Sequence, residues 1–371
     1  MATSRTPAGI VFEALPAGYG DALLVTCNVS GKPWRMLIDT GPDECWPMLR
    51  ERLSRIAPGS GGRRRIDLAV ISHIDHDHIG GARLLLDDRT LGLEFGDVWF
   101  NAPQETASRG VEEGVELARL LGAGERSIPW NRAWSGGLAV TTDAQPFIEL
   151  PAARGGPKLT LLSPSAAPLE RLFSVWAKEL AKLGKPARPK AKATAARGLS
   201  LPDVQQLADA RTPLDRAPAN GSSIALLLEH RGASLLLAAD AYAPVLINAL
   251  TALAAARGKP LPWAVDLFKL SHHGSRANIT SALMQTLQAQ HYVVSSNGAI
   301  FDHPDDEAIA RTVRGGPGGH TIWFNFANEH SARWAATPLA KWNCRIAEPR
   351  NGTGVTLEAR QGLWQAAAAA A

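Results

Sequence analysis

The sequence predicts a layered α/β fold in which two αβ halves pack as a four-layer sandwich, with a site between the sheet edges. Short apolar runs of strand length alternate with segments of helical periodicity along the 371 residues. Aspartates and histidines directly follow several of these runs, and in layered α/β proteins the strand ends line the site. The two halves of the chain also show a similar order of strands, polar cluster and helix.

The composition is that of an ordinary globular protein, with 45% hydrophobic and 20% charged residues. Neither a secretory signal nor a run of about 18 apolar residues is visible, so we expect no membrane span and a cytoplasmic location. Cys27, Cys45 and Cys344 are scattered, which argues against a disulfide framework and against thiolate metal ligands. A net charge of +4 and a pI of about 9.1 favour anionic partners without establishing one.

Three predicted strands precede the main polar cluster. Ile10–Leu15, Ala22–Cys27 and Arg35–Ile38 are apolar runs joined by short turns, an arrangement that predicts an antiparallel meander. Asp39 follows the third run, where a loop carboxylate either caps the next turn or supports a metal ligand from behind. Helical periodicity then extends from Trp46 to Ile56.

The predicted strand Leu68–Ile71 leads into the densest polar cluster of the chain. Three histidines and two aspartates follow within six positions, although the whole chain has only ten histidines, so chance clustering is a poor explanation. Imidazoles and carboxylates at the end of a rigid strand are typical of a metal site. The alternating spacing of His73, Asp75 and Asp77 directs their side chains the same way, and His78 turns inward as the next helix opens.

The middle of the chain is less regular. A short strand is predicted at 98–100, and residues 104–150 change from a helical to a loop-like pattern. A strand at 159–162 precedes a helix at 169–183. Residues 182–197 are rich in Lys, Arg, Pro and Ala and predict a mobile basic segment, either a solvated insertion or an arm that grips a polyanion.

The second half delivers polar residues from strand ends in the same way. A hairpin of strands at 224–228 and 234–238 leads to Asp240, and a strand at 267–270 leads to His272 and His273. The remaining predicted elements are a helix at 281–289 and strands at 292–295, 321–326 and 355–358.

The cluster Ser72-His73-Ile74-Asp75-His76-Asp77-His78-Ile79-Gly80-Gly81 resembles the metal-binding motif of the metallo-β-lactamase superfamily. It is more specifically similar to the hydrolase domain of the ComEC/Rec2 competence proteins and their stand-alone relatives. Further motifs follow in the expected order: Gly18-Tyr19-Gly20-Asp21-Ala22, Ile38-Asp39-Thr40-Gly41, Leu162-Ser163-Pro164, Asn220 with Ser222-Ser223, Ala239-Asp240-Ala241, Lys269 with His272-His273-Gly274-Ser275, and His303-Pro304.

The resemblance implies a metallo-β-lactamase-like four-layer αβ/βα sandwich with helical insertions, as a single domain over residues 1–371. Its core would cover about 10–358, with helical or basic insertions at about 104–150 and 166–219 and a frayed tail at 360–371. Two departures matter. The superfamily commonly has a histidine where Asp75 stands, and another histidine in a region that here, between His78 and His230, has none. Asn220 or a water is expected to fill that second place. The ComEC-like branch is similar in both respects, which disfavours a β-lactamase.

The resemblance further implies a binuclear centre. His73, Asp75 and a motif histidine would hold one ion and Asp77 and His78 the other. The two oxygens of Asp240 would bridge the ions. At least one of His272 and His273 would also be a ligand, while its neighbour could contact a phosphate or the leaving oxygen. The carboxylate at position 75 shifts the preference from Zn²⁺ toward Mn²⁺ or Mg²⁺.

Catalytic contacts are expected from five side chains in this scheme. Lys269 is either a charge-paired strand residue or a phosphate clamp, and His303 is either a loop histidine or an acid. The others are Asp77, Asn220 and His273.

Three functions fit this sequence. The first is a metal-dependent phosphodiesterase or nuclease with DNA as substrate. The second is a small-molecule ester hydrolase of the lactonase, thioesterase or choline-phosphate esterase type. The third is an effector subunit, regulated by a protein partner, in a defence or DNA-uptake system.

Overall fold

A computed structural model describes residues 9–59, 61–103, 128–152, 155–180, 198–349, 353–360 and 363–367, together with residues 117, 121 and 351. Its strands, in chain order, are β1 (Ile10–Ala14), β2 (Leu23–Val29), β3 (Lys32–Ile38), β4 (Arg64–Val70), β5 (Leu93–Trp99), β6 (Ile148–Leu150), β7 (Lys158–Ser163), β8 (Ala225–His230), β9 (Ala233–Leu237), β10 (Trp263–Lys269), β11 (Leu287–Val294), β12 (Thr321–Phe324), β13 (Arg345–Ala347), β14 (Val355–Arg360) and β15 (Leu363–Ala366).

The strands form two sheets. The first has the order β15-β14-β1-β2-β3-β4-β5 and the second the order β13-β12-β11-β10-β9-β8-β7-β6. In the first sheet, β1, β2 and β3 form the predicted antiparallel meander, whereas β3, β4 and β5 run parallel. In the second sheet, β6 to β9 are antiparallel and β9 to β13 are parallel. Each sheet therefore contains a parallel part whose strands end at one common edge.

Helices cover the outer faces of both sheets. They lie at Trp46–Ser54, His76–Ile79, Ala82–Asp87, Ala166–Leu180, Leu201–Asp209, Pro218–Gly221, Ala243–Ala256, Ser281–Thr286, Asp306–Gly315 and Glu329–Ala335. One apolar cluster joins the two sheets through residues such as Phe12 and Leu226. A second joins the first sheet to helices through residues such as Leu49, and a third joins the second sheet to helices through residues such as Leu250. The predicted four-layer sandwich is confirmed.

One predicted helix is shorter than expected, and the strand after it begins earlier. The helix expected at 281–289 ends at Thr286, and β11 begins at Leu287 rather than at residue 292. Residues 287–293 pair in parallel with β10, so sheet pairing overrides the helical periodicity of this stretch.

The predicted tail at 360–371 does not fray along its whole length, because β15 pairs with β14 in antiparallel fashion. The basic segment at 182–197 and most of the helical part of 104–150 lie outside the described residues.

Candidate metal centre

The polar strand ends of the two sheets meet at one place. Asp39 follows β3 and His73 follows β4, while Asp240 follows β9 and His272 follows β10. Because these strands are parallel neighbours within each sheet, their carboxyl ends share an edge. The packing of the two sheets then brings the edges together, so that His78 Nε2 lies 3.2 Å from His273 Nε2 although 195 positions separate them in sequence.

Two histidines of the first sheet are fixed by a buried network around Asp39. The Asp39 carboxylate accepts hydrogen bonds from the Ser72 backbone N–H and the Ser72 hydroxyl, each at 2.7 Å. It also accepts one from His78 Nδ1 at 2.8 Å. Because the Ser72 hydroxyl donates to Asp39, it accepts from His73 Nδ1, 3.0 Å away. Both rings therefore carry their outer proton on Nδ1 and turn Nε2 inward.

The two histidines of the second sheet are oriented by the same principle. His273 Nδ1 donates to the carbonyl oxygen of Ser295 at 2.7 Å, and His272 Nδ1 lies 3.0 Å from Asn278 Oδ1. A carbonyl oxygen can only accept, so each Nδ1 bears a proton and each Nε2 presents a lone pair. Outer hydrogen bonds of this kind are typical of histidines that bind metal ions.

Asp240 lies between two groups of imidazoles. Its Oδ1 is 3.3 Å from His78 Nε2 and 3.9 Å from His273 Nε2. Its Oδ2 is 3.6 Å from His272 Nε2 and 3.9 Å from His73 Nε2. One carboxylate thus presents one oxygen to each group.

The remaining carboxylates of the motif divide between the two groups. Asp77 Oδ2 is 3.2 Å from His273 Nε2 and 3.8 Å from His78 Nε2. Asp75 Oδ2 is 3.6 Å from His73 Nε2, and the Asp75 side chain is 40% exposed. His76, by contrast, approaches exposed Asp43 at 3.2 Å.

The donor atoms fit divalent cations. Within the described part of the chain, buried His73 Nε2 and Asp240 Oδ1 have no hydrogen-bond partner. The Nε2 atoms of His78 and His273 also face each other with their lone pairs, an arrangement that repels unless a cation or a proton lies between them. Asp21, His78, Asp240 and His273 can direct one ligand atom each to a common point. The cluster is therefore a divalent-metal site by its own chemistry.

Buried charges in this cluster shift its pKa values in opposite directions. Burial alone would lower the pKa of His78, but Asp240 and Asp77 raise it well above its ordinary value. Burial alone would raise the pKa of Asp240, but His272 and His78 hold it well below its usual range. Carboxylates and imidazoles therefore stabilise each other's charged forms, and a metal ion that binds here competes with protons for the Nε2 atoms.

Lys269 lies behind the site and not on its open face. Its side chain is fully buried, and its ammonium group pairs with Asp21, whose other oxygen is 3.5 Å from His273 Nδ1. This corrects the expectation of a phosphate clamp, because a buried and paired ammonium group cannot reach a substrate. The charge-paired alternative describes its contacts.

Asn220 and His303 lie at the edge of the cluster. Asn220 Nδ2 donates to Asp215 at 2.7 Å and is 3.3 Å from His272 Nδ1, while its Oδ1 has no hydrogen-bond partner among the residues that the structure describes. The His303 ring centroid is 5.1 Å from that of His272. Both residues therefore lie next to His272, and their catalytic roles stay predictions.

Left-handed backbone conformations shape the second half of the site. His272 and His273 have φ values of 49° and 54°, which non-glycine residues rarely adopt. In an extended strand two consecutive side chains would point to opposite faces. The left-handed turn instead lets both imidazoles face Asp240, and Ala239 precedes that aspartate with a φ of 45°.

Sequence reasoning missed four contributors. Asp21 lies in the motif Gly18-Tyr19-Gly20-Asp21-Ala22, which predicts only a turn. An aspartate directly before an apolar strand could also have indicated a residue of the site. Ser72 was likewise quoted without a role. Asp215 and Asn278 gave no signal, because neither belongs to a periodic pattern.

Residues 18–104 match the family model described as "Metallo-beta-lactamase superfamily". The match includes Asp39 and the cluster from His73 to His78. A search of curated protein sequences finds no match. None of the helices in the described part of the chain combines the length and apolarity that a bilayer crossing needs.

Several solved structures are similar to the chain at low identity. YhfI from Bacillus subtilis, a metallo-beta-lactamase fold protein, is 11% identical with a TM-score of 0.39, over 94% of this chain and 99% of YhfI. Zn²⁺-bound PqqB from Methylobacterium extorquens is 14% identical with a TM-score of 0.41, over 94% and 99%. CmlA, a diiron β-hydroxylase from Streptomyces venezuelae, is 13% identical with a TM-score of 0.40, over 96% of this chain and 55% of CmlA. The chain thus spans about half of CmlA. We infer no activity from these likenesses.

Proposed function

We propose that the chain is a metal-dependent phosphodiester hydrolase that acts on DNA. The observation that carries this proposal is Asp240, whose two oxygens face two separate groups of donor atoms. Sites for two ions can clamp the attacking and leaving oxygens of a phosphoryl displacement. Asp75 and Asp77 add hard oxygen donors to the two groups, which favours Mn²⁺ or Mg²⁺ over Zn²⁺. The similarity of the motifs to the ComEC/Rec2 hydrolase domain supports the same substrate class.

The side chains of the site divide into a closed and an open half. The closed half consists of Asp77, His78 and His273. These side chains are at most 9% exposed, so bulk water does not surround them. The open half has His73, Asp75 and His272, of which Asp75 is 40% exposed. Divalent ions bound here would supply Lewis acidity, which lowers the pKa of a water and offsets charge on a phosphoryl oxygen. We expect the scissile phosphate to approach from the open half.

An aromatic rim beside the site offers a surface for a nucleobase. Phe301 is 42% exposed and contacts Tyr19 edge to face, with ring centroids 5.8 Å apart. The Phe301 ring is also 6.3 Å from that of His303, which borders His272. Exposed aromatic rings stack with bases for about 1–3 kcal/mol. Phe301→Ala should therefore raise KM for thymidine 5′-(4-nitrophenyl phosphate) roughly tenfold or more, without a matching change for methyl 4-nitrophenyl phosphate.

The test of the proposed function is cleavage of fluorescent single- and double-stranded DNA. Protein stripped with EDTA receives Mn²⁺, Mg²⁺ or Zn²⁺ separately, and Asp77→Ala is the control. Cleavage restored by Mn²⁺ and absent from the variant supports the proposal. A metal-loaded protein that cleaves no phosphodiester refutes it. If such a protein cleaves DNA only after a second protein is added, it is instead a partner-regulated effector.

A small-ester hydrolase is the second candidate, because the residues near the site mouth are acidic. The Asp43 and Glu44 side chains are each 59% exposed and lie 3.2 and 3.8 Å from His76. Burial, Glu44 and Asp77 together raise the pKa of Tyr19 well above its ordinary value, so this negative field reaches the aromatic rim. Exposed carboxylates repel a polyanion. Turnover of lactones, thioesters or choline-phosphate esters, with no cleavage of DNA, would select this candidate.

A further inference from the structure

A buried carboxylate from outside the metal-binding motifs supports His272. Asp215 lies in the segment 210–217 between two helices, and its side chain is 8% exposed. Asp215 Oδ2 accepts hydrogen bonds from Asn220 Nδ2 at 2.7 Å and from Asn278 Nδ2 at 3.1 Å. The same oxygen is 3.3 Å from His272 Nδ1. Asp215 Oδ1 accepts from the Ala217 backbone N–H at 2.9 Å, so both oxygens are held.

The orientation of the Asn278 amide decides which nitrogen of His272 carries the proton. Asn278 Nδ2 is surrounded by three acceptors: Asp215 Oδ2, the Asp240 carbonyl at 3.1 Å and the Ala241 carbonyl at 3.2 Å. An amide nitrogen among acceptors cannot be exchanged with its oxygen, so Oδ1 faces His272 Nδ1. In the neutral ring Nδ1 therefore carries the proton and donates it to Asn278 Oδ1, and Nε2 carries the lone pair on the side of Asp240.

We propose that Asp215 and Asn278 are positioning residues that make His272 a ligand of the ion beside His73 and Asp75. This inference rests on the proposed metal-dependent function. Without the hydrogen bonds from His272 Nδ1 to Asp215 and Asn278, the His272 ring could rotate or move its proton to Nε2. Either change would remove the Nε2 lone pair from the site. The segment at 210–217 thus completes a metal position whose other donors come from the motif after β4 and from Asp240.

The test counts bound Mn²⁺ and needs no hydrolysis. Metal-stripped protein is titrated with Mn²⁺ while electron paramagnetic resonance follows free ions and exchange coupling between bound ions. The wild type should bind two ions as a coupled pair. Asp215→Ala should retain one ion and lose about 10–100-fold in affinity for the other, the usual effect of removing a carboxylate that orients a ligand. Asp215→Asn, which keeps one acceptor oxygen, should recover part of that loss.

Asp266→Ala is the matched control, because Asp266 is also a partly buried carboxylate that accepts from a backbone N–H, but it lies beside Ser234 within β10 and not at the metal centre. It should bind two ions like the wild type. Asp215→Ala combined with His272→Ala should lose no more affinity than His272→Ala alone, since both changes act through one ring. If Asp215→Ala fails to fold, Asp215→Asn alone carries the test.

Three results would overturn the inference. The Asp215 variants could bind two ions with wild-type affinity, or the wild type could bind only one ion. The third is a double variant whose loss of Mn²⁺ affinity equals the sum of the losses in the two single variants. A wild type that binds two ions but cleaves no phosphodiester would refute the proposed function and leave the role of Asp215 standing.

Discussion

The Asp39 carboxylate allows a quantitative test of how the site is supported, through the substitution Asp39→Asn. Asp39 Oδ2 accepts two hydrogen bonds, from the Ser72 hydroxyl and His78 Nδ1, and Oδ1 accepts one from the Ser72 backbone N–H. An asparagine has only one acceptor end. If its oxygen takes the Oδ2 position, its NH₂ group meets the Ser72 N–H and one hydrogen bond is lost. If the amide is reversed, His78 must accept at Nδ1, which moves its proton to Nε2.

Each outcome has a magnitude. Loss of one buried hydrogen bond to a charged acceptor costs about 1.5–3 kcal/mol in the free energy of unfolding. A proton on His78 Nε2 blocks a metal ligand, and loss of an outer partner typically lowers metal affinity about 10–100-fold, or roughly 1.4–2.8 kcal/mol at 1.4 kcal/mol per decade. Either orientation also replaces the carboxylate behind His78 with a neutral amide, which lowers the basicity of that ligand. We therefore expect the variant to lose both stability and Mn²⁺ affinity.

Denaturant unfolding of EDTA-treated protein measures the first quantity, and calorimetric titration with Mn²⁺ measures the second. Asp266→Asn is the control, because Asp266 Oδ2 accepts from the backbone N–H and hydroxyl of Ser234 at 2.7 and 3.0 Å, as Asp39 does from Ser72, but Asp266 lies within β10 and not at the metal centre. The control should lose stability and keep its Mn²⁺ affinity. Unchanged Mn²⁺ affinity in Asp39→Asn would refute the reasoning.

Three further predictions follow from the backbone and from charge. In Gly20→Ala the new Cβ would overlap the carbonyl of Asp77 and lie 2.9 Å from a proline carbon, so we expect a loss of about 3 kcal/mol or more in denaturant unfolding, and unaltered stability would contradict this. Ala239→Gly should stabilise the fold by about 0.5–1 kcal/mol, because it relieves a φ of 45°, and a destabilised variant would show that this conformation is not strained. Burial alone would lower the pKa of His272, but Asp240 and other neighbours raise it to about 9. Mn²⁺ affinity should therefore rise up to about pH 9 and not level off near pH 6.5. The metal-free protein should lose stability as the pH rises through about 9. Mn²⁺ titrations and denaturant unfolding at several pH values across that range check the two expectations.

Local patterns were sufficient to predict the sandwich and the residue types of the site. Four apolar residues before His73 indicate a buried strand, and polar residues directly after such a strand must lie at a sheet edge. The same argument applies to Asp240 after β9. These inferences succeed because strand burial and side-chain alternation are properties of short segments, which a sequence displays directly.

The tertiary structure alone decided how those residues are used. The sequence left His272 and His273 as alternatives, because two consecutive side chains in a strand diverge. In the structure both adopt a left-handed turn, with the His272 N–H donating to the Ala239 carbonyl and His273 Nδ1 to the Ser295 carbonyl. Lys269 could be assigned to a buried ion pair only once β10 was packed against the loop that carries Asp21. Asp215 reaches His272 from a segment without periodicity, so the residues that orient the site depend on chain packing and not on any local pattern.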